Sequence, residues 1–333
     1  MKGRLEHELQ RQNNISVILK TLPEYVNDFY INISVSKEPT TCLEYIRKIK
    51  LFYEYIGKDL LEVVDTDIGK YFNEKKYVED EFGNMVQSSS AYRQGIWAAL
   101  NQFYMYLYNK GTIKINPTAS IQRPKTTGYK EKTYLSMNDL NKILATVEKG
   151  FGTKRQRSRQ KHFKERDMLV MMLLMNTGMR KTALSEINVE DIHINEHKLI
   201  VTDKRNKTQI YPITKELQEV INDWLYRREE ILDGEDVDAL FIGEQKKRLS
   251  ERAIYEIVQR YSEAALGYKI SPHKLRAAFI SLYYEESGYD IEATRRAVGH
   301  ASIQTTSLYI TKENDSREEA ANFMSKNLMS YKR

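Results

Sequence analysis

Cysteine is almost missing from this chain: Cys42 is the single one among 333 residues. One thiol excludes a disulfide framework and a cysteine-rich metal site, and the apolar residues spaced around Cys42 put it in a core. No apolar run is long enough to cross a bilayer. The most apolar stretch, residues 168–175, falls short of the roughly 20 residues a spanning helix needs and reads as a buried helix. There is no signal peptide, so the cytoplasm is the default compartment. No internal repeat or low-complexity tract stands out. An acidic excess is lacking too: 52 Lys and Arg stand against 46 Asp and Glu, a formal net charge of +6. That balance fits a nucleic-acid partner without demanding one. What is present is length and apolar content. With 41% hydrophobic residues, the chain can build a core in each of two domains.

Residues 1–14 are polar and read as a short tail. Residues 22–33 suit a helix opening near Pro23. The chain breaks at Pro39, and Thr40 or Thr41 can cap the next helix. Cys42, Tyr45, Ile46, Ile49, Phe52, Tyr53 and Ile56 recur at i, i+3, i+4 and i+7, the stripe of an amphipathic helix that Gly57 ends. Thr66 caps a short helix through Lys75, and residues 79–90 make a polar loop with a turn at Gly83 and Asn84. A longer helix, residues 91–109, turns Tyr92, Ile96, Leu100, Phe103 and Leu107 to one side, with Gly111 beyond its end. Residues 1–120 thus read as a small bundle of about four helices. Arg47, Lys48, Lys50, Arg93 and Lys110 lie on or beside these helices, where they face either phosphates or solvent.

Residues 121–133, IQRPKTTGYKEKT, set Arg123, Lys125, Lys130 and Lys132 against Glu131 and read as an extended basic linker. The second domain, residues 134–333, opens with Ser136 capping a helix. Residues 150–166, GFGTKRQRSRQKHFKER, hold Lys154, Arg155, Arg157, Arg159, Lys161, Lys164 and Arg166 against the single acid Glu165. Lacking apolar periodicity, this stretch reads as a mobile loop on a phosphate backbone; the plain alternative is a solubilising loop. Residues 167–178 form the buried helix, with Arg180 just past its end. Residues 198–202 and 209–213 read as strands joined by a turn at 203–207. Helices follow at residues 214–232 and from the Ser250 cap to Gly267. Past Tyr309, a charged segment leads to an apolar stripe of Ala320, Phe323, Met324 and Leu328.

The chemistry concentrates in residues 271–310, SPHKLRAAFISLYYEESGYDIEATRRAVGHASIQTTSLYI. Ser271 and Pro272 suit the N-cap and first positions of a helix. His273 and Arg276 then share one face of its first turns, where outward N–H groups and the helix dipole favour an anion. Gly288 ends this helix. A second short helix, residues 290–298, stops at Gly299, and His300 follows at once. Ser302 can cap a third, which carries Tyr309. Imidazoles, a guanidinium and a phenol on short elements parted by glycines suit phosphoryl transfer to a tyrosine.

HKLR, then GHAS, then TTSLYI resemble the C-terminal signature of the tyrosine recombinases, also called the phage integrase family. NTGMR resembles that family's first arginine motif and makes Arg180 its match. VTDKRNKTQIYPI resembles the family's β-hairpin with its catalytic lysine, here Lys204. The resemblance spans residues 22–310 and implies a mainly α fold. An N-terminal four-helix, SAM-like core-binding bundle would precede a C-terminal mixed α/β catalytic domain with a small antiparallel sheet. The resemblance further implies that the linker lets two domains clamp a duplex with paired inverted half-sites. It implies a tail that docks in trans, giving dimers on one site and tetramers in the synapse. Whether a directionality factor joins stays open. Nothing before Leu22 is large enough for a separate arm-site domain, which favours a simple two-domain recombinase.

A phosphodiester repels nucleophiles, so its cleavage needs cations at the non-bridging oxygens, a nucleophile, and an acid for the leaving oxygen. Arginine's planar fork matches phosphate, which assigns Arg180 and Arg276 to the charge of the transition state. Tyr309 is the nucleophile and, as the resemblance implies, forms a 3′-phosphotyrosine bond. A phenol titrates near pH 10, so His273 exchanges its proton. His300 bonds a phosphate oxygen. Lys204 protonates the 5′ oxygen as it leaves, with Lys207 a rival. The covalent intermediate conserves the bond energy, so no cofactor, metal or ATP is called for.

This chain departs from the family at Ala183, where many members carry an acid, and at Ala277 and Ala278 after HKLR. Glu186 stands elsewhere on the same helix. The departures touch supporting positions and not the named groups. The first reading of the whole is the integrase of a mobile element, cutting and rejoining DNA at specific sites. A Xer-type recombinase resolving chromosome dimers, a type IB topoisomerase and a non-catalytic DNA-binding protein on the same fold are the alternatives.

Overall fold

The structure is a computed structural model that describes residues 2–79, 83–125, 135–203 and 207–309, without the side chains of residues 2–4, 202, 203 and 207. Its contacts divide the chain into two units, one of Arg4–Lys130 and one of Glu131–Arg333 together with Met1–Gly3. Each has its own apolar core. No helix among the described residues is long and apolar enough to cross a membrane.

The first unit carries α1 (Lys2–Leu19), α2 (Glu24–Ser34), α3 (Pro39–Ile56), α4 (Asp65–Glu74) and α5 (Ser90–Asn109). The four helices expected from the sequence are α2 to α5. Before them, residues 2–14 are helical and not a tail. Their sequence hides this because Leu5 and Leu9 stay exposed, whereas the last turns bury Ile15 in the core with Ile18 and Leu19 against it. Tertiary burial of one end holds a helix that amphipathicity does not announce. Helix α3 begins with Pro39 in place of a threonine cap, because proline's missing N–H and fixed φ suit the first turn. At its end Gly57 takes φ +63°. Helix α4 starts one residue before Thr66, its first turn closed by Asp67, which accepts from the backbone N–H of Val64 at 3.0 Å. Two short antiparallel strands, β1 (Tyr77–Glu79) and β2 (Met85–Gln87), run into and through the expected polar loop. Phe29 meets Phe103 edge-on at 5.3 Å, and the buried phenol of Tyr104 donates to the Leu60 carbonyl at 3.2 Å.

The second unit opens with α6 (Met137–Lys149). Ser136 Oγ accepts from the Asp139 N–H, and Asp139 returns the bond to the Ser136 N–H. The basic stretch that follows is not a loop. It forms α7 (Lys154–His162), because Thr153 and Gln156 make a second reciprocal cap and buried Gln160 clamps both backbone groups of Phe151. Helix α8 (Lys164–Thr177) is buried along most of its length and ends at Gly178, φ +58°. Short α9 (Lys181–Glu186) leads to a three-stranded antiparallel sheet of β3 (Ile192–His193), β4 (Lys198–Asp203) and β5 (Lys207–Pro212), in that order. Asp203 pairs with Lys207 across the hairpin mouth. Helices α10 (Lys215–Leu232) and α11 (Glu251–Leu266) follow, capped by Thr214 and Ser250. The chain then forms α12 (Pro272–Glu286), α13 (Ile291–Ala297) and α14 (Ile303–Ser307). Helices α6, α10 and α12 all pack on α8, the central rod of this unit.

Candidate active site

The C-terminal end of α8 is where the candidate groups meet. Gly178 turns the chain in the left-handed region, and a Cβ there would lie 2.6 Å from the Phe279 ring. Its carbonyl, freed by the helix end, accepts from Nη1 of Arg276. Nη2 of Arg276 donates to the Val298 carbonyl at 3.2 Å. Arg276 is 3% exposed, and burial first, then the charge of Arg180, lowers its pKa from the usual guanidinium value. The two carbonyls take part of the five-donor fork, and the Tyr309 phenol is a further hydrogen-bond partner of the guanidinium. Arg180 is exposed at the N-cap of α9, close enough for its charge to act on Arg276, His273 and His300.

His273 sits in the first turn of α12. Ser271 holds the N-cap position, and its carbonyl accepts from the Lys274 N–H at 2.8 Å, but its hydroxyl makes no cap bond. The Nε2 of His273 lies 3.0 Å from the phenolic oxygen of Tyr309. Partial burial, then Arg276, Arg180 and Lys274, lowers the His273 pKa from the usual imidazole value, which favours the neutral ring.

Tyr309 closes α14. Its backbone N–H donates to the Thr306 carbonyl at 2.9 Å, and Ser281 Oγ donates to its carbonyl at 3.2 Å. Its ring stacks on His300 at 5.5 Å and 26°. His300 is 2% exposed. Its Nδ1 lies 3.0 Å from the hydroxyl of Thr306, and its Nε2 is buried with no hydrogen-bond partner. Burial, with Arg276 and Arg180 next in weight, pushes its pKa down to about 4. Gly299, φ +66°, forms the turn before it, and a Cβ there would lie 2.4 Å from Gln209 Oε1 on β5. The hairpin therefore reaches the His300 turn.

Five of the six catalytic residues picked from the sequence thus stand together: Arg180, His273, Arg276, His300 and Tyr309. The sixth, Lys204, lies outside the described residues, as do the tail stripe from Ala320 to Leu328 and Lys130, Glu131 and Lys132 of the linker. Ala183 is packed in the core and Ala277 beside His273 in a cleft of about 450 Å³. Sequence reasoning missed Thr306, Ser281 and the Gly178 carbonyl. Thr306 stands in the same quoted motif as Tyr309, but a carbonyl acceptor leaves no mark in a sequence.

The DNA-binding candidates are scattered. In the first unit Arg47 pairs with Glu44 at 3.3 Å and Lys50 with Glu54 at 2.7 Å. Lys48 also meets Glu44, at 3.6 Å, and Lys110 meets Asp28 at 2.7 Å. Arg93 donates to the Ser88 carbonyl at 3.1 Å, Arg123 lies over the Trp97 ring, and Lys125 is exposed. Exposed pairs of this kind hold weakly and exchange readily for phosphate. On α7, Lys154, Arg155, Arg157 and Arg159 are exposed, whereas Arg166 is buried against Asp167 at 2.7 Å and serves the core.

A family profile described as the phage integrase family matches residues 133–316. The chain belongs to that family, the tyrosine recombinases. It is 28% identical, over 90% of its length and 85% of the relative's, to tyrosine recombinase XerC of Caldanaerobacter subterraneus subsp. tengcongensis. It is 26% identical, over 86% of its length and 92% of the relative's, to tyrosine recombinase XerD of Staphylococcus epidermidis. Among solved structures, the recombinase resembles a lambda integrase (75–356) dimer bound to a COC′ core site. That likeness has a TM-score of 0.62 at 19% identity, covering 88% of this chain and 96% of that one. It concerns the fold, which in this recombinase is mainly helical with small antiparallel sheets. The recombinase is a DNA breaking-rejoining enzyme and acts site-specifically.

Proposed function

We propose that Tyr309 attacks a DNA phosphodiester, that a bond forms between its phenolic oxygen and phosphorus, and that the bond to the 5′ oxygen breaks. The phenolic proton passes to His273 Nε2. Lys204 protonates the departing 5′ oxygen. Arg276 and Arg180 neutralise the non-bridging oxygens as charge builds, and His300 donates to one of them through Nε2. A 5′-hydroxyl from another strand then attacks the 3′-phosphotyrosine and reverses the chemistry, with the bond energy conserved. The observation that carries this reading is the 3.0 Å contact of the Tyr309 phenol with His273, one helical turn from buried Arg276. A nicked duplex spanning the recombination site tests it. The wild type should trap a covalent protein–DNA adduct and Tyr309→Phe none; equal adduct from both would remove Tyr309 from its role, and no adduct from either would favour a non-catalytic binder.

The recombinase binds duplex DNA with inverted half-sites, as a dimer on one site and a tetramer in the synapse. Arg47, Lys50, Arg93, Arg123 and Lys125 contribute backbone contacts. Its role is integration and excision of a mobile element. The reach of the XerC similarity over 90% of the chain favours chromosome-dimer resolution as the second reading. Cleavage at the ends of an inserted element, or at a lone chromosomal site, separates the two.

A further inference from the structure

We infer that α7 is a second DNA-backbone grip, remote from Tyr309, which takes a duplex segment other than the phosphate under cleavage. Helix α7 hands the chain to α8 through Phe163. Arg180 and the Gly178–Arg276 bond lie past the opposite end of α8. With 14 residues, α8 sets these places about 21 Å apart. The junction of α7 with α8 therefore lies one helix length from a phosphate held by Arg276.

The helix forms against its own charge. Arg155 and Arg159, and likewise Arg157 and Lys161, stand at i and i+4, where like charges repel. Lys154 and Arg155 occupy the first turn, where the dipole disfavours cations. The Thr153–Gln156 cap and the Gln160 clamp hold its start, and Arg227 holds His162 at its end. Glu244 engages Arg159 and Glu148 engages Lys164. Lys154, Arg155, Arg157 and Lys161 form no ion pair with an acidic side chain among the described residues, and Arg157 donates through Nε to the Gly152 carbonyl. A polyanion relieves this repulsion. Its chemistry is that of a phosphate backbone: α7 carries no apolar residue to anchor a protein interface, and Lys, Arg, Ser and Gln are backbone-contacting types.

The inference rests on the DNA reading above, but the salt effect requires no Tyr309 adduct, so the two fail separately. The test compares the full chain with K154Q/R155Q/R157Q/K161Q, with helicity and Tm checked first; losing repulsion, the variant should be no less stable. Binding to a random-sequence 30-base-pair duplex is followed over a KCl series. The slope of log affinity on log salt should become shallower by about 3 to 4 in the variant. A bead-bound duplex then reports whether the chain captures a second, labelled duplex. Capture lost with the slope assigns α7 to a second duplex; capture retained with a shallower slope assigns it to the flank of the same one. An unchanged slope overturns the inference. With weaker capture of polyglutamate it would point instead to an acidic protein segment.

We also infer that Thr306 is a positioning residue that sets the tautomer of His300. A neutral imidazole carries one N–H, and only an Nε2–H can donate to a phosphate. That tautomer leaves Nδ1 as an acceptor, which needs an O–H donor, and the fully buried Thr306 hydroxyl stands 3.0 Å away. The opposite arrangement would aim a lone pair at an anion. The Thr306 carbonyl meanwhile receives the Tyr309 N–H, so one residue aligns both groups. Thr306→Val keeps the shape and removes the donor; Thr306→Ser restores it. In ¹⁵N-histidine spectra the wild type and Thr306→Ser should show His300 protonated at Nε2, and Thr306→Val should lose that preference. Cleavage of the nicked duplex should fall roughly 10- to 100-fold in Thr306→Val, the scale of one lost hydrogen bond to a charged group, and recover in Thr306→Ser. An unaltered tautomer in Thr306→Val, or no recovery in the serine variant, would refute the assignment.

Discussion

His300 is the residue whose environment is most at odds with its ordinary chemistry. It is 2% exposed, and burial, then Arg276, Arg180, His273 and Arg295, pushes its pKa down from the usual 6.5 to about 4. The sign of the consequence follows from linkage. Between about pH 6.5 and pH 4 the unfolded chain binds a proton that the folded ring does not, so stability is complete above 6.5 and falls as pH drops through this window. His273, lowered by partial burial and the same cations, adds to the slope. Urea midpoints of the DNA-free protein at pH 7.5 and 5 should therefore differ more for the wild type than for His300→Gln. Equal differences would mean that His300 is not held neutral by the fold. At this scale the sequence supplied identity and order: HKLR, GHAS and the tyrosine were legible. It did not supply the bonds that tune them, because the Gly178 and Val298 carbonyls on Arg276 and the Thr306 hydroxyl on His300 come from folded geometry.

At the scale of elements, periodicity served where a helix has one buried face. Helices α3, α5, α10 and α11 follow their apolar stripes, and the caps at Ser136, Ser250 and Ser302 stand where the sequence placed them. Periodicity was silent for α1 and α7. Helix α7 is polar all round, and α1 buries only its last turns, so neither shows a continuous stripe. For α7 the signal was present but local: Thr153 and Gln156 make the Ser/Thr-x-x-Glu/Gln pattern, which the run of charge around it masked. The hairpin was legible from its alternation, and its place beside the site was not. The close approach of Gln209 to Gly299 joins β5 to the His300 turn.

For the whole molecule, the consequence of two units is two cores with no member in common. Calorimetry should then resolve two unfolding transitions. Phe52→Ala, in the first core, should lower one, and Leu173→Ala, in the second, should lower the other, by about 2–5 kcal/mol each. One transition moved by both substitutions would contradict this.

The sequence by itself determined the family, the mainly helical fold and the set of groups that meet at the site, because these depend on residue type, order and spacing. Tertiary structure alone decided which of those groups stay neutral, which carbonyls orient the buried guanidinium, and that the basic stretch is a helix one α8 length from the chemistry. Burial and proximity between residues far apart in the chain set those properties, and a linear pattern holds no measure of either.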